Sequence, residues 1–286
     1  MLAPAPQIRY TLSRDGYRLA ARVWDVSSGS SGRNPRANIV CLHGILSHGG
    51  WYLSSCAHLA KAGFAVHLLD RRGSGLNPLA RGDVDRWNTW LSDIEDFLQD
   101  LPSAGEVPRI LLGISWGATL AAAVARHRSD LLAGVGLICP GLYSRKQANV
   151  FQRCALRLAG MLGLKKIRVD IPLKDPALFT GTEAMKNYVA TDPLALRRIT
   201  IRFALENLRL GRYATERPEQ IRVPTLVMLA ELDPIAVNPL VRGFVDRVGH
   251  KHKRVIEYPN ASHTLEFEPN PVQYYDDLCG WCREIT

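Results

Sequence analysis

The 286-residue sequence lacks a long apolar run. Its longest, near Leu131–Cys139, is about half of the roughly 20 residues that a membrane-spanning helix needs. The opening MLAPAPQIRY has no basic stretch ahead of an apolar core, so it does not read as a secretory signal. The expectation is a cytoplasmic protein. Cysteine is sparse, six in all, and a chain of this length can bury a core without disulfide or metal staples. Cys279-Gly-Trp-Cys282 is the lone Cys-x-x-Cys, with no second pair to complete a zinc site. It falls in an expected terminal helix rather than at a helix start behind a strand, so it reads as two packing thiols. Acidic residues are outnumbered, 27 against 36 Lys and Arg, giving a net charge of +9. That excess points to an anionic partner: nucleic acid, membrane surface or acidic substrate. No nucleic-acid recognition motif accompanies it, so nucleic acid is the least expected of the three. No internal repeat is visible.

What is present is a rhythm. Two alternating stretches, Ile8–Ser13 and Tyr17–Val26, are joined by Arg14-Asp15-Gly16, a hairpin signal. Ser27–Pro35 reads as a flexible loop. Six short apolar runs then suit buried parallel strands: Asn38–Leu42, Phe64–Leu69, Arg109–Ile114, Ala133–Cys139, Thr225–Ala230 and Arg254–Tyr258. Helical segments are expected at Trp51–Lys61, Thr89–Leu101, Gly117–His127, Pro239–Val248 and Pro271–Arg283. Such alternation predicts an α/β fold, a mostly parallel central sheet with helices on both faces. Residues 141–215 break the rhythm, with helical runs and no convincing strand. They are expected as a helical cap inserted into a core made of residues 1–140 and 216–286, above the carboxyl ends of the strands.

The strand Arg109–Ile114 runs into Gly113-Ile114-Ser115-Trp116-Gly117, and a helix follows. A serine on a sharp strand-to-helix turn needs small neighbours, and the turn exposes its hydroxyl over the sheet. Ser115 is the candidate nucleophile. A hydroxyl needs a base within hydrogen-bond reach, placed at the same edge of the sheet. His250 and His252 precede a strand, His58 and His127 belong to helices, and His67 lies inside a strand. His263 follows the last strand at the correct edge. The orienting carboxylate should also follow a strand. Asp233, just beyond Thr225–Ala230, is the candidate, with Glu231 and Asp70 as rivals. The order Ser115, Asp233, His263 is that of α/β-hydrolases. The expected oxyanion donors are the backbone N–H groups of Trp116 and of Ile45, in the glycine-rich loop after Asn38–Leu42.

These residues resemble the α/β-hydrolase family, and within it the monoacylglycerol lipase and lysophospholipase-like group. The matching pieces are His43-Gly44 with His48 and Tyr52, Asp70-x-Arg72-Gly73-x-Gly75, Gly113-x-Ser115-x-Gly117, Asp233, and His263-Thr264-Leu265. The resemblance implies the α/β-hydrolase fold with a helical cap over an acyl-chain pocket. It implies a carboxylic-ester hydrolase acting through an acyl-serine intermediate on a small acyl ester, without metal or organic cofactor. It places His43, Gly44, His48 and Tyr52 beside the substrate. Asp175-Pro176-Ala177-Leu178-Phe179 and Asp192-Pro193-Leu194 look similar to segments of those caps. Trp116 departs from the lipases, which usually carry a smaller residue there, and is expected to narrow the pocket or change its acyl preference. The triple-glycine oxyanion loop of another esterase branch is absent. A thioesterase or an acyltransferase would use the same residues; an inert lipid-binding fold is a rival of another class, and the complete triad argues against it.

The charge excess has an address. Residues 141–215 hold 14 Lys and Arg against 5 acids, and the remainder balances at 22 of each. Val150, Phe151, Cys154, Leu158, Met161 and Leu162 recur at helical spacing, with Arg153 and Arg157 off that stripe and Lys165, Lys166 and Arg168 after it. Such a basic amphipathic helix can lie at the periphery of an anionic membrane, or pack on the core with its basic edges in water.

Overall fold

The computed structural model describes residues 5–25, 34–101 and 107–286. Most of the expected loop Ser27–Pro35, and Val26 before it, lie outside the described residues. The chain opens with the antiparallel strands β1 (Gln7–Leu12) and β2 (Arg18–Trp24). Gly16 closes their turn at φ 79°, a conformation open to glycine, and Asp15 Oδ1 accepts from Tyr17 N–H. There follow β3 (Asn38–Leu42), α1 (Leu53–Lys61), β4 (Ala65–Leu69), α2 (Trp87–Asp100), β5 (Arg109–Ile114), α3 (Trp116–His127) and β6 (Gly134–Ile138). Residues between β6 and the next strand of the sheet form α4 (Val150–Met161), β7 (Arg168–Asp170), α5 (Glu183–Thr191), β8 (Arg198–Thr200) and α6 (Ile201–Glu216). The chain ends with β9 (Thr225–Ala230), α7 (Asn238–Asp246), β10 (Lys253–Tyr258) and α8 (Val272–Glu284).

Eight strands form one sheet in the order β1-β2-β4-β3-β5-β6-β9-β10. β1 and β2 are antiparallel, and every pair from β4 to β10 is parallel. The parallel strands β3, β4, β5, β6 and β9 are buried almost throughout. Their unbroken apolar runs are what a sheet covered on both faces requires. The alanine-rich α3 is buried from Trp116 to Ala125, because side chains that small let a helix sit close on the sheet.

The segment between β6 and β9 corrects one expectation. It contains strands, β7 and β8, paired antiparallel. Each has three residues, and Arg168, Asp170 and Arg198 are exposed, so no apolar run announces them. The same segment is tied to the sheet's upper loops. Leu196 N–H donates to Leu46 O at 2.8 Å, and Thr200 N–H to Gly82 O at 2.9 Å. Phe203 of α6 packs edge-on against Trp90 of α2, with ring centroids 4.8 Å apart. Asp83 is the polar anchor. It accepts from Thr200 Oγ1 at 2.7 Å, Lys166 Nζ at 2.7 Å and Arg202 Nη2 at 2.6 Å.

Burial alone would raise the Asp83 carboxyl. Arg202, Lys166 and Thr200 outweigh it and hold the group down at about 2, against an ordinary 3.8. A depressed carboxylate stabilises the fold above its unfolded pKa, and that stability is lost as the pH falls through the folded one. Asp83→Asn is therefore expected to lower unfolding stability at neutral pH by about 1–3 kcal/mol, and by less as the pH drops from 4 towards 2. Urea titrations at several pH values check this; a deficit that persists unchanged at pH 2 would contradict it.

Candidate active site

Ser115 sits between β5 and α3 with φ 55° and ψ −118°, a strained conformation for a side-chain-bearing residue. The turn is locked from both sides: Ser115 N–H donates to Ile138 O and Gly141 N–H to Ser115 O, each at 2.8 Å. The flanking glycines are steric requirements. A Cβ on Gly113 would lie 2.4 Å from Gly117 O, and one on Gly117 would lie 2.3 Å from Leu42 O. The strand, the turn and the helix thus close on one another with no room for a methyl group.

The structure brings Ser115, His263 and Asp233 into one hydrogen-bonded chain. His263 Nε2 lies 2.8 Å from Ser115 Oγ, and His263 Nδ1 lies 2.7 Å from Asp233 Oδ2. Asp233 Oδ1 accepts from Ile235 N–H at 2.7 Å and Ala236 N–H at 2.9 Å. Burial would raise the Asp233 carboxyl, but the facing His263 and those two N–H groups hold it below the usual carboxylate value. It is ionised at neutral pH. His263 is buried, in edge-on contact with Phe179 at 6.1 Å. Thr264 N–H donates to Phe179 O at 2.9 Å, which ties the histidine loop to the inserted segment.

The rival carboxylates are engaged elsewhere. Glu231 Oε2 accepts from Asn260 N–H at 2.8 Å and braces the turn before His263. Asp70 is fully buried and accepts from Arg22, Gly49 N–H and Leu76 N–H. Cys279 and Cys282 are buried within α8, and burial pushes both thiols up, opposite to what a redox pair needs.

A pocket beside Ser115 is lined by Gly44, Ile45, Tyr52, Leu173 and Phe179, with His263 completing its wall. Gly44 reaches the nucleophile directly: a Cβ there would lie 3.4 Å from Ser115 Cβ. Tyr52 lies against it, its hydroxyl 3.0 Å from Ser47 Oγ. Two residues expected beside the substrate are elsewhere. His43 is fully buried behind the loop, with Nδ1 2.8 Å from Gly44 O and Nε2 accepting from Arg71 N–H at 3.2 Å. Burial lowers it to about 3, so it is neutral and its proton sits on Nδ1, donated to Gly44 O. It braces the Gly44–Ile45 peptide rather than the substrate. His48 Nδ1 accepts from Gly50 N–H, which leaves Nε2–H to donate to Asp192 Oδ2 at 3.0 Å. Trp51 Nε1 reaches the same oxygen at 2.6 Å, so His48 is a clamp on the inserted segment.

Trp116 also departs from expectation. Its ring is absent from the pocket wall and packs against Trp90 at 5.1 Å and Phe203 at 5.9 Å, with Nε1 donating to Asn207 Oδ1. A bulky residue is accommodated there because α6 supplies an aromatic niche, so it does not narrow the pocket. Leu173 carries no sequence signal, and Phe179 stands out only as part of a cap-like segment, since nothing local marks a residue that reaches a site so distant in the chain.

The family model Hydrolase_4, described as "Serine aminopeptidase, S33", matches residues 33–270. The chain belongs to this hydrolase family. Human monoglyceride lipase is 23% identical over 291 residues, covering 99% of this chain and 92% of the relative. An uncharacterised abhydrolase domain-containing protein of Dictyostelium discoideum is 24% identical over 279 residues, and the chain spans only 28% of its length. Among solved structures, a monoacylglycerol lipase from Paleococcus ferrophilus has a TM-score of 0.82 at 24% identity, covering 94% of this chain and 99% of that one. A soluble variant of the Saccharomyces cerevisiae monoglyceride lipase, in complex with a substrate analog, has a TM-score of 0.84 at 19% identity, covering 99% and 96%. These likenesses establish the α/β-hydrolase fold.

For this Hydrolase_4 member, Gly117→Ala is expected to cost about 3 kcal/mol or more, because the added methyl meets backbone carbonyls that cannot turn aside. Guanidinium unfolding of the purified variant measures it, and a loss below about 1 kcal/mol would show that β3 and α3 can separate freely.

Proposed function

We propose that the protein is a serine hydrolase cleaving carboxylic esters of fatty acyl groups, of the monoacylglycerol or lysophospholipid type, through an acyl-serine intermediate. The hydrogen-bonded chain Asp233–His263–Ser115 beside an apolar pocket carries this reading. His263 Nε2 takes the proton of Ser115 as Oγ attacks the ester carbonyl. The Ile45 and Trp116 N–H groups hold the oxyanion. Asp233 keeps the His263 proton on Nδ1 and stabilises the imidazolium. His263 then gives its proton to the leaving alcohol, and a water deprotonated by the same ring frees the fatty acid.

Leu46, Ile114, Leu173 and Phe179 give the pocket an apolar wall, and no carboxylate lines it among the described residues. That favours an uncharged acyl chain over the α-ammonium of a peptide, which an aminopeptidase would have to pair with an anion. Ser115→Ala is expected to reduce hydrolysis of monoacylglycerol and p-nitrophenyl acyl esters by about 10⁴-fold or more, with thermal unfolding unchanged. Full activity in that variant would refute the assignment. Wild-type turnover faster on acyl-coenzyme A than on glycerol esters, or acyl transfer to an added alcohol in place of hydrolysis, would redirect it to a thioesterase or an acyltransferase.

The inserted segment serves as the cap that meets the lipid. Gly160 alone is buried in α4, while Phe151 is 85% and Met161 84% exposed. Val150, Leu158 and Leu162 share that exposure. An apolar face of this extent, edged by Arg153, Arg157 and Lys165 and set in the segment holding the whole net charge, suits an anionic bilayer surface. Binding to vesicles containing phosphatidylglycerol should weaken with salt and fall about tenfold or more in Phe151→Asp/Met161→Asp. Unaltered sedimentation of that variant with the vesicles would exclude α4 as the contact.

A further inference from the structure

Arg71 is the residue after Asp70 in the loop above β4, and the triad does not use it. Its side chain is buried. Nη2 donates to Ile45 O, while Nε and Nη1 have no hydrogen-bond partner among the described residues. The guanidinium carbon lies 4.8 Å from the Trp116 ring centroid and 5.7 Å from that of Phe203. No carboxylate pairs with it among the described residues, because Asp70 is taken by Arg22 and two backbone N–H groups. Burial pushes the guanidinium pKa down, with Arg81 adding to that and Asp70 opposing it. It remains a cation at neutral pH. A buried, partly unpaired cation costs stability, so its position asks for a use elsewhere.

That use is visible in what Arg71 holds. Its backbone N–H donates to His43 Nε2, which keeps the His43 proton on Nδ1, from where it is donated to Gly44 O. Its guanidinium holds Ile45 O. The two peptide planes that meet at the Ile45 Cα are thus both anchored through one residue, which leaves the Ile45 N–H a single direction. The uncompensated charge sits behind the same loop, with Trp116 beside it.

We propose that Arg71 is a positioning residue that presets the Ile45 N–H as oxyanion donor and biases the site electrostatically towards the tetrahedral intermediate. The inference rests on the acyl-serine reading above. It separates transition-state from ground-state binding: an interaction realised only when the oxyanion forms raises kcat and leaves KM nearly alone.

The test uses the purified full chain with Arg71→Met and Arg71→Lys. Both are assayed on a p-nitrophenyl acyl ester and against a trifluoromethyl ketone bearing the same acyl chain. Ser115 Oγ adds to the ketone carbon, the carbonyl electron pair moves onto oxygen and the serine proton passes to His263, giving a stable analogue of the intermediate. A non-cleavable ether of the same chain reports ground-state binding. Arg71→Met should lose about 30- to 300-fold in kcat and a matching factor in ketone affinity, with KM and ether affinity within about twofold. Arg71→Lys should recover part of both losses, and it carries the test alone if the methionine variant does not fold. Ketone affinity and kcat within twofold of wild type would overturn the proposal, as would equal losses for ketone and ether. If Ser115→Ala stays active in the same assay, the nucleophile assignment has failed instead. If Ser115→Ala is dead and the Arg71 variants are unimpaired, only the Arg71 proposal has failed.

Discussion

The geometry at the top of the sheet depends on one steric contact. Gly117, at the start of α3, lies against the carbonyls of Leu42 and His43 at the end of β3, at distances that leave no room for a Cβ. That contact places Ser115 at the meeting of the two elements and presses Gly44 onto it. The strained backbone of Ser115 is the consequence, held by the bonds from Ser115 N–H to Ile138 O and from Gly141 N–H to Ser115 O. The adjoining strands β9 and β10 are parallel and hydrogen-bonded in register, Ala230 beside Tyr258, so the loop bearing Asp233 and the loop bearing His263 are delivered to the same edge. Geometry of this precision belongs to the sheet, and the loops inherit it.

Around that contact lies a layer of buried polar groups whose roles are mutual. Asp70 gathers Arg22 and two backbone donors, His43 braces Gly44, and His48 with Trp51 grips Asp192 of the inserted segment. Each is hydrogen-bonded where burial demands it. Arg71 departs from this, with Nε and Nη1 unpartnered among the described residues, and it lies behind the loop whose Ile45 N–H would face the substrate oxyanion. The inserted segment combines two tendencies. Its inner side meets the sheet loops through Asp83, Leu196 and Phe203, while α4 turns an apolar face outward among basic residues.

Much of the frame was legible in the sequence for physical reasons. Continuous apolar runs mark strands buried on both faces, and Gly-x-Ser-x-Gly between a strand and a helix marks a turn that tolerates nothing larger. His263 was legible because only loops at the carboxyl edge can face Ser115, whereas Asp233 shared that edge with Glu231 and Asp70, whose other partners only the structure shows. The strands β7 and β8 were not, because three-residue strands rich in charge carry no period. His43 and His48 sit in a suggestive motif, yet what each touches depends on Arg71 and Asp192, which are distant in sequence. Trp116 misled for the same reason: its niche is built by Trp90, Phe203 and Asn207, and no local pattern records that.

The central claim is that Ser115 is the activated nucleophile of an ester-cleaving site. The most direct measurement is intact-mass and peptide-mapping analysis after exposure to an alkyl fluorophosphonate. The account predicts a single adduct on the peptide bearing Ser115, formed rapidly in the wild type and slowed strongly in His263→Ala. No adduct, or an adduct on another residue, would contradict it.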